Sequence, residues 1–307
     1  MDSVDVRIFC EMAFRESSFD ESEGRGPSAP NIARKLRLDE KTVRARVKRM
    51  EESGFVKYYQ ASPSLSLFGM RVVSQFRLEA LNLMTKHALV GSMDRVPRLV
   101  ECADYLGTSI TASVAGATPE EAKSEADRLA AHFELAVKFL GSRPLRVPSL
   151  RLDALDWKLV RQLRYDARSS DKDLSESLHV TQRMVGYRFS KLTGSGAMSL
   201  RAVIDPQRQA GLVFYEVELL VEPSRSGAII RWLQDAFSEG TWNITTPSPE
   251  LIVVSLFSFT LAEPEENALR ALGVEGVRRC GLFILKEVME PRRPNWIDSL
   301  IDLRLAS

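Results

Sequence analysis

At 307 residues the chain is too long for one ordinary small domain, so two to four domains are expected. With 44% apolar and 27% charged residues it can bury a core, and a net charge of only +1 excludes a broadly basic surface; any contact with a polyanion has to be local. No apolar run approaches the roughly 20 residues of a membrane span, and the acidic start Met1-Asp2-Ser3-Val4-Asp5 does not read as an export signal, so a cytoplasmic protein is expected.

The first predicted helix, Val4 to Phe14, places Val4, Ile8, Phe9 and Met12 inward. A polar segment, Arg15 to Ser28, reads as a loop. A short amphipathic helix follows, with Ile32, Ala33 and Leu36 inward, then the turn Arg37-Leu38 and a second helix from Asp39 to Met50. In that helix Val43, Val47 and Met50 share one face, Asp39 stands at the N-cap, and Glu40 lies in the first turn. The other faces carry Lys41, Arg44, Arg46, Lys48 and Arg49. From Arg34 to Arg49 there are eight basic residues against two acidic, whereas a merely solvated face mixes its signs. Two short helices joined by a tight turn, the second basic, describe a helix-turn-helix for double-stranded DNA. Lys41, Thr42 and Arg44 sit near the helix start as base readers; Lys48 and Arg49 suit phosphates, with Arg46 in the same basic set. Gly54 suits the position past the helix end, and Phe55 to Ala61 predicts a strand, the wing of a winged helix.

From Met70 the apolar period changes to two. A strand, a helix over Met84 to Val96, strands over Arg98 to Leu106 and Ser109 to Ala115, a helix capped by Thr118 with Pro119 at its first position, and a strand over Phe133 to Leu140 give βαββαβ, the ferredoxin-like order. After the linker Arg143 to Ser149 the sequence starts again. A constant offset of 142 aligns Ile32 with Leu174, Val43 with Val185, Arg46 with Arg188, Met50 with Leu192, Gly54 with Gly196 and Gly69 with Gly211. A second βαββαβ run extends from Val213 to Val288, and a tail helix carries Trp296, Ile297, Leu300 and Ile301. The fold class is therefore α+β, an internal duplication of winged helix-turn-helix and ferredoxin-like domains. The winged units are expected at 1–62 and 150–206, the ferredoxin-like domains at 67–142 and 209–290, and the tail helix in 291–307. The second recognition helix, capped by Thr181 with Met184, Val185, Phe189 and Leu192 as its apolar set, offers Gln182, Arg183, Arg188 and Lys191 to DNA. It is less basic than the first, follows the acids Asp171, Asp173 and Glu176, and carries the helix-weakening Gly186.

Three stretches carry a family resemblance. They are Leu152-Asp153-x-x-Asp156; Thr42-Val43-x-x-Arg46-Val47-Lys48-Arg49-Met50-Glu51-Glu52-Ser53-Gly54-Phe55-Val56; and Gly276-Val277-Arg278-Arg279 with Leu285-Lys286-Glu287-Val288. In these the chain resembles the leucine-responsive/asparagine-regulator (Lrp/AsnC, feast/famine) transcription regulators, twice over. The resemblance implies that one polypeptide holds both halves of what is ordinarily a dimer, a covalent pseudo-dimer. It also implies transcriptional regulation through DNA, and an amino-acid-like effector held between ferredoxin-like domains. The effector loop of that family has Gly and Asp around a Tyr, which maps here onto Asp104 and Tyr105. Further pairing, to a homodimer of pseudo-dimers, is expected.

Catalytic and metal signals are weak. His87, His132 and His179 are scattered without ligand spacing, and Cys10, Cys102 and Cys280 read as buried apolar residues of a reducing compartment, so neither a metal nor another cofactor is expected. One enzyme alternative rests on resemblance alone: siroheme decarboxylases look like two such units side by side. His87 or His132 would then be acid–base groups and nearby Arg residues would hold propionates.

Overall fold

The computed structural model describes residues 1–13, 29–208, 211–238, 240–289, 291 and 294–306; Phe14 and the predicted loop Arg15 to Ser28 lie outside them. The first copy comprises α1 (Ser3–Ala13), α2 (Ala29–Leu36), α3 (Glu40–Glu52), β1 (Val56–Pro63), β2 (Val72–Glu79), α4 (Leu83–Ser92), β3 (Leu99–Tyr105), β4 (Ser109–Gly116), α5 (Pro119–Phe133) and β5 (Ala136–Pro144). The second repeats that order with α6 (Ala154–Leu163), α7 (Asp171–Leu178), α8 (Gln182–Gly194), β6 (Met198–Ile204), β7 (Val213–Val221), α9 (Ser226–Ala236), β8 (Thr241–Ser248), β9 (Leu251–Ser258), α10 (Glu263–Leu272) and β10 (Val277–Met289), and α11 (Trp296–Ala306) follows. The elements gather by kind rather than by copy. One compact unit holds both helix-turn-helix segments with α11, and the other holds both βαββαβ runs.

In the helical unit the first helix of each copy is capped by paired acids. The Asp5 and Asp2 backbone N–H groups donate to each other's carboxylates at 3.0 Å, and Asp156 and Asp153 repeat this at 2.9 and 3.1 Å. This satisfies donors that the first turn leaves orphaned. Ile8, Phe9, Val43, Val47, Met50 and Phe55 are buried in the first copy, where Phe9 meets Phe55 edge-on at 5.2 Å. Leu159, Val160, Leu163, Val185, Phe189 and Leu192 are buried in the second. Each such side chain contributes about 1.5–3 kcal/mol when fully buried.

The predicted wing takes a different form. β1 pairs antiparallel with β6, from Val56 opposite Ile204 to Pro63 opposite Met198. A lone strand leaves a row of unpaired backbone groups; here the equivalent strand of the other copy completes it. A strand pairing antiparallel with its own duplicate is the contact a two-fold relation generates.

In the sheet unit the strand order is β5-β2-β4-β3 for the first copy and β10-β7-β9-β8 for the second, which is fourth, first, third, second strand in both, the ferredoxin-like order. β3 pairs with β10, joining the halves into one eight-stranded sheet. In the first half Phe76, Leu78, Cys102, Ile110 and Val114 pack under Leu89 of α4 and Ala122 and Ala126 of α5. In the second, Tyr215, Val217, Leu219, Ile252 and Val254 pack under Ile229 and Leu233 of α9 and Ala268 of α10. Phe133, predicted to open a strand, ends α5 instead; Glu134 at φ +54° stops the helix before β5 begins.

Candidate nucleic-acid interface

α3 has a start written in its sequence. Asp39 accepts the backbone N–H of Lys41 at 2.8 Å and of Thr42 at 3.1 Å, and the Thr42 hydroxyl donates to it as well. That hydroxyl, with the two N–H groups, holds the Asp39 carboxyl below its ordinary range, so the cap stays anionic at the positive end of the helix. With its hydroxyl so engaged, Thr42 is a capping residue rather than the base reader the sequence suggested.

Burial of Val43, Val47 and Met50 turns Lys41, Arg44, Lys48 and Arg49 outward. The side chains of Arg44 and Lys48 are 65% and 73% exposed, and they lie 2.5 Å from Glu40 and 3.6 Å from Glu52, one turn away. Exposed i,i+4 pairs are worth about 0.3–0.5 kcal/mol, so either cation can leave its glutamate for a phosphate at small cost. Arg49 is equally open, with Asp5 3.6 Å away.

Arg46 has another role. Its guanidinium donates to Asp2 at 2.7 and 2.8 Å and to Asp5 at 2.7 Å, and this bond is what holds the Asp2 carboxyl below its usual value. Arg188 repeats the arrangement with Asp153 and Asp156, all at 2.7 Å. Both arginines lock the third helix of their unit onto the acidic start of the first. Their guanidiniums are thus engaged within the unit. An Arg188→Ala variant strands the buried Asp156 carboxylate and is expected to lose about 3 kcal/mol in chemical denaturation. Unchanged stability with a weakened salt dependence of DNA binding would return Arg188 to the interface.

α8 begins at Thr181, which accepts the Met184 N–H at 3.2 Å, and buries Val185, Phe189 and Leu192. Met184, expected on that face, is 41% exposed, because the position before Val185 lies about 100° round the helix. Tyr187, 65% exposed, shares the outward arc with Gln182, Arg183 and Met184, while Lys191 is half-buried. The sequence reading missed Tyr187, although its i+4 spacing from Arg183 is the signal that places it there. At Gly186 an added Cβ would meet only an Asp171 carboxylate oxygen, at 3.7 Å. Gly186→Ala is accordingly expected to raise stability by about 1 kcal/mol, seen as a higher melting temperature.

The residues matched to an effector loop do not form one site. Asp104 and Tyr105 are successive residues of β3, so their side chains leave opposite faces of the sheet. Asp104 is buried with Lys86 at 2.6 Å and Lys286 at 3.0 Å, whereas the buried Tyr105 hydroxyl donates to Glu216 at 2.5 Å. Both side chains are enclosed in separate internal networks of side chains. His87 on α4 and His132 on α5 are exposed, as is His179, which ends α7 at φ +54°. Burial pushes the Cys10 thiol up to about 12 and that of Cys102 well above its usual value, so neither is a reactive thiolate. Among the described residues no group of three or more His, Cys, Asp or Glu could hold a metal ion, and no helix is long and apolar enough to cross a membrane.

Residues 152–193 match the model of the AsnC-type helix-turn-helix domain, and residues 24–57 that of a winged helix-turn-helix DNA-binding domain. The second helix-turn-helix is thus of AsnC type and the first of winged helix-turn-helix type. No curated protein matches it in sequence. Among solved structures, the siroheme decarboxylase NirDL aligns over 99% of both chains at 10% identity and a TM-score of 0.55. Its complex with an iron-uroporphyrin III analogue aligns over 99% of this chain and 98% of that one at 11% identity and a TM-score of 0.54. E. coli AsnC covers 48% of this chain and 99% of its own at 13% identity and a TM-score of 0.39. At these identities the full-length alignments show the fold alone, two helix-turn-helix units and two ferredoxin-like domains in one polypeptide.

Proposed function

We propose that this Lrp/AsnC-like chain is a DNA-binding transcription regulator, a covalent pseudo-dimer of the cytoplasm that reads double-stranded DNA chiefly through α3. The observation that carries this reading is the outward set Lys41, Arg44, Lys48 and Arg49 on a helix whose other face is buried. α8, with Gln182, Arg183, Tyr187 and Lys191, binds more weakly, because fewer cations release fewer counterions. Regulation by a small effector belongs to the proposal, at a site other than Asp104 and Tyr105, as does further pairing to a homodimer, read by light scattering. The binding test is fluorescence anisotropy with genomic fragments over a range of salt. Arg44→Ala/Lys48→Ala is expected to reduce the log–log salt slope by about 0.9, for the phosphate left without Lys48, and to weaken binding at least tenfold as Arg44 is lost from the base edges. Equal losses from Arg183→Ala/Lys191→Ala would remove the asymmetry between the helices, and wild-type affinity in both variants would remove the helices from the interface.

The full-length likeness to a siroheme decarboxylase favours a second reading, tetrapyrrole chemistry in the sheet unit. The exposed positions of His87 and His132 on outer helices do not suit an enclosed acid–base pair. Titration with an iron porphyrin decides between the two. A saturable Soret shift, with no salt-dependent DNA binding, would favour the enzyme.

A further inference from the structure

The faces of the two half-sheets turned away from their helices carry charge of opposite sign. Arg77 is the sixth residue of β2 and Glu218 the sixth of β7, and each lies between two core residues, Phe76 and Leu78 in one case and Val217 and Leu219 in the other. The two are thus equivalent positions of the duplication, with side chains on the face opposite the helices. They meet each other: Arg77 Nη2 donates to Glu218 Oε2 at 3.1 Å, with both side chains almost fully buried. Lys138 of β5 reaches the other oxygen, Oε1, at 2.6 Å. The Arg77 guanidinium stacks 3.5 Å from the centre of the Phe283 ring and 5.0 Å from that of Tyr105, and its Nε and Nη1 find no hydrogen-bond partner among the described residues. Beside them Glu216, also on β7, accepts from the Tyr105 hydroxyl at 2.5 Å and from the Ser255 hydroxyl at 3.4 Å.

In the pair and the groups bonded beside it, the cations Arg77 and Lys138 come from the first copy and the carboxylates Glu218 and Glu216 from the second, while Glu101 of the first copy also acts on Glu216. Where two related halves meet about a two-fold, a residue that touches its own equivalent must tolerate a copy of itself. Arg77 against Arg77 would set two buried guanidiniums together, with the exposed Lys138 of each half adding like charge at the rim. Glu218 against Glu218, each with its Glu216, would gather four carboxylates there. Neither arrangement is tolerable without water or counter-charge. We propose that the Arg77–Glu218 pair sets partner choice in the sheet unit: a first-copy ferredoxin-like domain accepts only a second-copy domain, and pairing of like with like, within or between chains, is excluded. The pair contributes discrimination more than net stability, since the attraction within an ion pair taken out of water offsets its desolvation only in part.

The test uses the full-length chain and is independent of DNA binding. Arg77→Glu and Glu218→Arg each place like charges together, and each is expected to lower the melting temperature by about 10 °C. The double reversal Arg77→Glu/Glu218→Arg should regain wild-type melting to within a few degrees. An equimolar mixture of the two single variants, refolded together, should give by native mass spectrometry a two-chain species containing one of each. The carboxylate newly placed at position 77 of one chain then faces the guanidinium newly placed at position 218 of the other. The apolar double variant Arg77→Leu/Glu218→Leu should fold yet form two-chain species with itself, having lost the discrimination. The proposal fails if the double reversal melts as low as the sum of the single losses, or if the refolded mixture contains no one-to-one species.

Discussion

Replacing Asp298 by alanine is expected to remove about 3–5 kcal/mol of stability from the helical unit and to free its C-terminal helix, seen as a lower denaturation midpoint and faster proteolysis within α11. Asp298 is fully buried. Its carboxylate lies 3.4 Å from Nε of the buried Arg164 and 3.5 Å from Arg161, accepts the Tyr165 hydroxyl, and accepts the Asn295 backbone N–H at 2.7 Å. Arg164 in turn donates to the Ala61 carbonyl at 3.2 Å and to the Ser62 hydroxyl at 3.4 Å, so one network ties α11 to α6 and to β1. Removing the acid leaves an arginine without its counter-charge in the interior, which costs more than the ion pair itself is worth. Asp298→Asn keeps an acceptor for Tyr165 and should lose less. A loss below about 1 kcal/mol for the alanine variant would show that water takes the place of the carboxylate.

Gly141→Ala is expected to cost about 3 kcal/mol or more and to loosen the sheet unit, measured by thermal melting together with hydrogen exchange along β5 and β8. Gly141 holds φ at +154°, a region that L side chains rarely occupy. A Cβ built there would stand 1.8 Å from the Pro247 carbonyl oxygen and 2.2 Å from its carbon. Both obstacles are backbone, so no rotamer change relieves them, and β5 and β8 would have to separate. The small cluster of Leu140, Leu251 and Val253 beside this approach would open with them. Wild-type melting in the alanine variant would mean that the two strands stand farther apart in solution.

How much of this was legible in the sequence follows the range of the forces involved. The start of α3 could be read because Asp39 caps groups two and three residues away, and its buried face because Val43, Val47 and Met50 recur at the helix period. The duplication was legible because equivalent positions keep equivalent residues, and the βαββαβ succession of elements because alternation and turn residues act within a few positions. Partners distant in sequence were not legible. On a helical wheel Arg46 and Arg188 look like any other surface cation, and only the docking of α1 on α3 and of α6 on α8 gives them carboxylates at 2.7 Å. Phe55 to Ala61 announced a strand without saying that its neighbour would be its own duplicate. Asp104 and Tyr105 are adjacent in the chain, but the pleat sends them to different networks. Arg77 and Glu218 are 141 residues apart, and their meeting, like the passage of Gly141 against Pro247, exists only once both half-sheets are formed. Local propensity and period therefore determined which elements form and which faces they bury. Tertiary structure decided which charges are neutralised inside the protein and which, as on α3, remain open to a partner.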